Sequence, residues 1–138
     1  MINLFQLPGG HVLADLPGYG YAAVPKKEKK LWGVKITQFL HEPKIAGAVL
    51  VTDCRRGLGV QDIALINIIP QKNILVLMNK ADKLGRQQLK KQLSQAQNII
   101  NDIAPHAQIL PFSASKKTGL KDVRAAAADI LSNDSHDS

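Results

Sequence analysis

Apolar and polar positions alternate along this chain between short continuous runs and longer stretches with helical spacing. Phe5 and Leu7 precede Pro8-Gly9-Gly10, and His11-Val12-Leu13-Ala14 follows, which predicts two short antiparallel strands joined by a tight turn. Ala46 to Val51 and Ile74 to Met78 are continuously apolar, as strands covered on both faces are, and Gln108 to Phe112 is a shorter run of the same kind. Helix-like segments fall between them, over about 26–41, 61–69, 86–103 and 120–131. In the third, Leu89, Leu93, Ala96, Ile99, Ile100 and Ile103 make one stripe, with Lys90, Lys91, Gln95 and Asp102 off it, so that face packs on a sheet. Strand and helix alternate, which predicts an α/β fold with a mostly parallel sheet. One domain over residues 1–131 is expected, with 132–138 a disordered polar tail and no repeat or second domain.

Composition narrows the class. With 138 residues and 45% hydrophobic positions, a core is available, and 21% charged is ordinary for a globular chain. The net charge of +7, from 18 Lys and Arg against 11 Asp and Glu, favours a polyanionic partner such as RNA or anionic lipid. A lone cysteine, Cys54, excludes an internal disulfide framework and a cysteine zinc site, and points to a reducing compartment. The start has no signal-like pattern and no run is long enough to cross a bilayer, so a soluble cytoplasmic protein without membrane partners is expected. His11, His41, His106 and His136 have no metal-ligand spacing and are read as surface or edge residues.

Candidate chemistry follows directly after the apolar runs, where open α/β sheets bind ligands at the carboxyl ends of their strands. Asp15-Leu16-Pro17-Gly18 closes the second run. Gly18 can bring a backbone N–H close to a terminal phosphate, and Asp15 could hold Mg²⁺ through a water, although taken alone the segment also reads as an ordinary turn. Asn79-Lys80-Ala81-Asp82 follows the run ending at Met78. The Asp82 carboxylate can accept from both the ring N1–H and the exocyclic amine of guanine, a pair adenine does not present. Asn79 can reach N7 or tie neighbouring loops, and the Lys80 stem can lie over the base. The competing reading makes Asp82 a cap for the next helix. Ser113-Ala114-Ser115 follows the last run and would aim a backbone N–H at the guanine carbonyl.

Lys26, Lys27, Lys29, Lys30 and Lys35, with Trp32 among them and Glu28 as the opposing acid, form a basic helix start, either a solvated face or a contact for RNA phosphates. Arg55 and Arg56 beside Asp53 read equally as a local ion-pair loop or a second RNA contact. Tyr19 and Tyr21 read equally as packing or base-stacking aromatics.

Taken together, Leu4-Phe5, Asp15 to Ala22, Val24-Pro25, Lys29 to Trp32, Asp53 to Leu58 with Asp62, Asn79 to Leu84 and Phe112 to Ala114 resemble the EngB/YihA (YsxC) family of bacterial GTPases over all but the polar tail. The resemblance implies a P-loop NTPase-type, Ras-like three-layer fold with one antiparallel edge hairpin. It further implies binding of GTP and GDP with Mg²⁺, and a role in large ribosomal subunit assembly, linked by name to cell division and septum formation. It places Asp15, Leu16, Pro17, Gly18, Asn79, Lys80, Ala81, Asp82, Phe112, Ser113 and Ala114 at the nucleotide, and the α-helical lysines at the large subunit or its RNA. The complete protein would be a monomer.

No Gly-x-x-x-x-Gly-Lys-[Ser/Thr] loop precedes these motifs. The chain is therefore expected to be amino-terminally incomplete, without the family's first strand, phosphate loop, first helix and first switch; Met1 fits a misplaced start, a truncation or a fragment. Tyr19 stands where Ras-like enzymes carry a water-orienting glutamine, so no catalytic residue is assigned and the chain is expected to be inactive alone. The other reading is an RNA- or ribosome-binding remnant indifferent to nucleotide. Loss of a central strand would leave a sheet edge open, and marginal stability or aggregation is expected.

Overall fold

A computed structural model of the chain describes residues 3–6, 12–15, 26–69 and 73–136. The chain divides into two compact units, Met1–Ile36 and Thr37–Ser138. In the first unit β1 (Asn3–Gln6) and β2 (Val12–Asp15) pair antiparallel, with Asn3 opposite Asp15 and Gln6 opposite Val12. They form a sheet of their own. The boundary between the units falls inside α1 (Lys26–Leu40). This helix follows Pro25, a residue suited to a helix entry, and closes where the His41 ring nitrogen Nδ1 lies 2.7 Å from the Thr37 carbonyl.

The second unit is built on a three-stranded parallel sheet in the order β3 (Gly47–Asp53), β4 (Asn73–Asn79), β5 (Gln108–Pro111). Parallel strands need crossovers, and α2 (Val60–Ile68) and α3 (Arg86–Ile103) supply them. The central strand is continuously apolar because both its faces are covered: Ile74, Leu75, Val76, Leu77 and Met78 are all buried. Burying one such side chain contributes about 1.5–3 kcal/mol. Leu75 and Leu77 share their face with Ala126 of α4 (Leu120–His136), and Leu110, Val123 and Ile130 close around them. Along α3 the expected stripe holds, with Ala96 and Ile100 buried, Leu89, Leu93, Ile99 and Ile103 half-buried, and Lys90, Lys91, Gln95 and Asp102 exposed.

Boundaries differ from the hydropathy pattern where polar residues continue a ladder or a helix. β3 runs on through Thr52 to Asp53, because the backbone of a polar residue pairs as well as that of a valine. α4 passes Leu131 and takes in Ser132 to His136, the segment expected as a tail, since extending a formed helix needs no new nucleus. α2 starts one residue early at Val60, where the Gly59 N–H donates to Asp62 Oδ2 at 2.8 Å. Pro70 in the sequence forbids its continuation.

Two glycines are required by space. A Cβ on Gly47 would lie 2.5 Å from the Asn73 carbonyl oxygen and 2.8 Å from Ile130 Cγ2. On Gly119, at φ +79°, it would lie 2.5 Å from the Pro111 carbonyl oxygen. Gly119 therefore lets the chain turn tightly off β5 into α4.

β3 pairs with β4 on one side only among the described residues. Val49 and Val51 stand opposite Leu75 and Leu77, hence on the face that α4 covers, yet they remain 48% and 55% exposed. An apolar strand with an open edge is a template for pairing with other chains. Replacing Val51 by Lys should therefore lower self-association, seen as reduced light scattering on concentration, while shifting stability by no more than about 0.5 kcal/mol. Unchanged scattering would show that this edge does not drive association.

Candidate nucleotide-base site

Parallel register brings the ends of three strands to one edge. Asp53 closes β3 directly opposite Asn79, which closes β4, and Met78 stands opposite Pro111 near the end of β5. The next residues form two loops that hold each other. The Phe112 N–H donates to the Met78 carbonyl at 2.9 Å, and the Phe112 carbonyl accepts the Ala81 N–H at 3.0 Å. Asn79 Oδ1 accepts the Ala114 N–H at 3.2 Å. Of the two roles open to Asn79, the structure shows the tying of neighbouring loops. Of the backbone N–H groups of Ser113-Ala114-Ser115, the segment expected to offer one to the guanine carbonyl, that of Ala114 is here given to Asn79.

Lys80 adopts left-handed backbone, φ 63° and ψ 33°, a conformation that costs a non-glycine residue roughly 1–2 kcal/mol. It turns the chain off β4 into a 3₁₀ turn over Ala81–Lys83, closed by the Lys83 N–H on the Lys80 carbonyl at 2.9 Å. Ala81 is buried within the turn and Asp82 is exposed at its rim.

Ser113 is fully buried, and its hydroxyl donates to Asp82 Oδ1 at 2.7 Å. Ser113 Oγ in turn accepts the Lys116 N–H at 3.1 Å, and Ser115 Oγ lies 3.4 Å from it. The Ser113 N–H donates to the Thr118 carbonyl, so the turn is closed on itself. Asp82 does not cap the next helix: α3 begins on Gly85 with no side-chain cap. The hydrogen bond from Ser113 is the main cause that holds the Asp82 carboxyl below the usual carboxylate range; desolvation opposes it, and the charges of Lys83 and Lys116 add to it. An ionised carboxylate has about four acceptor positions. Fixing one on Ser113 leaves acceptors aimed outward in a set orientation.

Behind this rim the turn after β3 is tied to both neighbours. The Cys54 N–H donates to the Asn79 carbonyl at 2.8 Å, and Gln92 Nε2 of α3 donates to the Cys54 and Arg55 carbonyls, each at 2.9 Å. Asp53 accepts from the Arg55 backbone N–H at 2.9 Å, from its Nε at 3.1 Å and from its guanidinium NH2 group at 2.7 Å. The side-chain bond from Arg55 is the leading reason that the Asp53 carboxyl is held far below its ordinary range, with Lys80 charge a smaller one. Arg56 donates to Thr52 Oγ1 at 3.0 Å and pairs with the buried Asp62 at 3.3 Å. The two arginines thus form a local ion-pair loop, the first of the two readings their sequence allows. Cys54 is fully buried, and that burial pushes its thiol pKa up.

Asn79, Lys80, Ala81, Asp82, Phe112, Ser113 and Ala114 are therefore brought together. Asp15 ends β2, while Leu16, Pro17, Gly18, Tyr19 and Tyr21 lie outside the described residues. Lys30 and Lys35 are exposed on α1; the side chains of Lys26, Lys27, Lys29 and Trp32 lie outside the description. Among the described residues no three His, Cys, Asp or Glu converge on a metal position. Gln92 was not anticipated. Its signal is a glutamine on the apolar stripe of α3, three residues after Leu89 and four before Ala96, where a polar side chain needs a partner.

Replacing Ser113 by Ala should move the Asp82 pKa upward toward its ordinary value of about 3.9. A depressed folded-state pKa gives stability that is present above the unfolded value and lost as pH falls through the folded one, so the variant should lose less stability on acidification. Carbon-13 titration of the Asp82 carboxyl checks this, and an unmoved titration would rule out Ser113 as the cause.

The geometry can be set beside known proteins. Residues 43–133 match the family described as the elongation factor Tu GTP binding domain. A probable GTP-binding protein EngB of Nitrosococcus oceani is 34% identical over 91% of this chain and 64% of its own length. One from Methylobacillus flagellatus is 38% identical over 88% and 60%. The chain thus spans about 60–64% of the length of the curated relatives it matches. Among solved structures, a probable GTP-binding protein EngB superposes with a TM-score of 0.74 at 19% identity, covering 96% of this chain and 84% of that one. Elongation factor SelB of Methanococcus maripaludis in its apo form gives 0.72 at 20% identity over 94% and 27%. Era, solved with MgGDPNP and a 16S ribosomal RNA segment, gives 0.67 at 24% identity over 94% and 43%. These likenesses carry the three-layer P-loop NTPase fold, and with the domain match over more than half its residues the chain belongs to the elongation factor Tu GTP-binding domain family and is similar to EngB proteins.

Proposed function

We propose that this chain provides the base-recognition part of an EngB-type guanine-nucleotide switch. The observation that carries the reading is the exposed Asp82 carboxylate, ionised and oriented by the buried Ser113 hydroxyl at 2.7 Å. A carboxylate so held offers paired acceptors to a base edge carrying two adjacent donors, N1–H and the exocyclic amine, which selects guanine over adenine. The Lys80 stem covers a base face. The hydrogen bond from the Ala114 N–H to Asn79 Oδ1 ties the two loops together beside it.

In the whole protein the ligands would be GTP and GDP with Mg²⁺, Asp15 reaching the ion through a water and Leu16, Pro17 and Gly18 lying at the terminal phosphate. Hydrolysis would serve timing, in the cytoplasm, during assembly of the large ribosomal subunit and with a link to cell division. The net charge of +7 supports a nucleic-acid partner, and Lys30 and Lys35, exposed on α1, would meet RNA phosphates together with Lys26, Lys27 and Lys29. A remnant that binds RNA without regard to nucleotide is supported by the same charge.

Amide shifts of nitrogen-15-labelled chain on addition of guanosine or adenosine test base recognition. Guanosine should move the Asp82 and Ala114 signals and adenosine should not. Replacing Asp82 by Asn turns one acceptor into a donor, so guanosine binding should fall by about a hundredfold or more, since each bond to a charged group contributes about 1.5–3 kcal/mol. Xanthosine, which presents a carbonyl where guanine has its amine, should gain. Equal shifts with both purines would sink the assignment. Binding of ribosomal RNA should weaken steeply with salt, and replacing Lys30 and Lys35 by Gln should reduce that slope by about two. RNA binding of undiminished slope would remove these lysines from the interface.

A further inference from the structure

Asp53 and Lys80 come from different strand ends, and nothing in the motif that contains Lys80 specifies an acid beside it. In the fold the Lys80 ammonium lies 3.6 Å from Asp53 Oδ2. Three bonds from Arg55 already immobilise that carboxylate, and Asp53 is 27% exposed where Lys80 is 51% exposed. An ordinary surface pair gains little because two long side chains must be ordered and water screens them. Here one partner is fixed beforehand, so ordering falls on the lysine alone.

The direction of the stem follows from its two ends. Left-handed backbone at Lys80 fixes where the side chain leaves the loop, and the Asp53 carboxylate fixes where it finishes. Asn79, directly opposite Asp53 in the register, sets the distance between them. The four methylenes therefore run between the start of the turn that carries Asp82 and the end of β3.

We propose that Asp53 is a positioning residue for base binding: by anchoring the Lys80 ammonium it holds the lysine stem as a ready-made wall of the base slot. The inference rests on the base-recognition reading of Asp82. Without the anchor, stacking must itself immobilise a long flexible side chain, which weakens binding about three- to tenfold. Arg55 acts one step further back, holding Asp53, and Gln92 holds the backbone of Arg55.

Guanosine is uncharged, so any salt dependence of its binding reports ion pairs within the protein. With the full chain, guanosine affinity taken from amide shifts should fall between low and molar salt toward that of the Asp53→Asn variant. The variant should bind about three- to tenfold more weakly at low salt and be insensitive to salt. Asn keeps an acceptor for the Arg55 N–H, so the turn is retained. Lys80→Gln should behave like Asp53→Asn, and the double variant should lose no more than Lys80→Gln alone. Wild-type affinity in Asp53→Asn, or full additivity in the double variant, overturns the proposal. Should Asp53→Asn fail to fold, Lys80→Gln decides: salt dependence equal to that of the original chain overturns it. No response of the original chain to guanosine overturns the base-recognition reading, and this inference with it; a response unaffected by Asp53 overturns the inference alone.

Discussion

Everything at the rim depends on the parallel pairing of β4 with a strand on each side. The register sets Asp53 opposite Asn79 and Met78 opposite Pro111, so three chain segments leave the sheet at nearly the same height. A slip of one residue would turn the side chains of a strand to its other face. The burial of Ile74 to Met78 forbids such a slip energetically, because both faces of β4 are packed. The apolar core therefore fixes the polar loops.

Above that foundation the two loops stabilise each other by exchange. Ser113 serves Asp82, Asn79 serves Ala114, and Phe112 serves both Met78 and Ala81. Each bond contributes about 0.5–1.5 kcal/mol net, somewhat more where a carboxylate accepts. Their joint effect is orientation: Lys80 is kept in a backbone conformation it would not choose, and Asp82 is kept ionised and outward. The ordering is completed by folding, before any ligand arrives, which spares the binding step that entropy.

The sequence made β4 and α3 legible because each has a burial pattern with a single periodicity. β4 is apolar throughout, and the α3 stripe predicts its bounds and its inner face. Where hydropathy and backbone pairing diverge, the pattern loses sight of the structure, as at Thr52 and Asp53, which are polar yet continue β3. Asn79 and Asp82 were readable as a compact motif. The donor role of Ser113 was less so, since the motif suggested a backbone contact and the fold uses the hydroxyl. Neither the Asp53 and Lys80 pair nor the hold of Gln92 on the Cys54 turn could be read locally, because each joins segments that meet only when the sheet closes.

Cys54 sits where these segments meet, fully buried, its N–H on Asn79 and its carbonyl on Gln92. A thiol in that place reacts with a water-borne alkylating agent only when the junction between β3, β4 and α3 comes apart. As the chain has 1 cysteine, the rate of modification against that of an unhindered thiol measures the free energy of this one local opening. The protein thus carries its own chemical clock for the integrity of the base loop, with no label to add and no second signal to subtract.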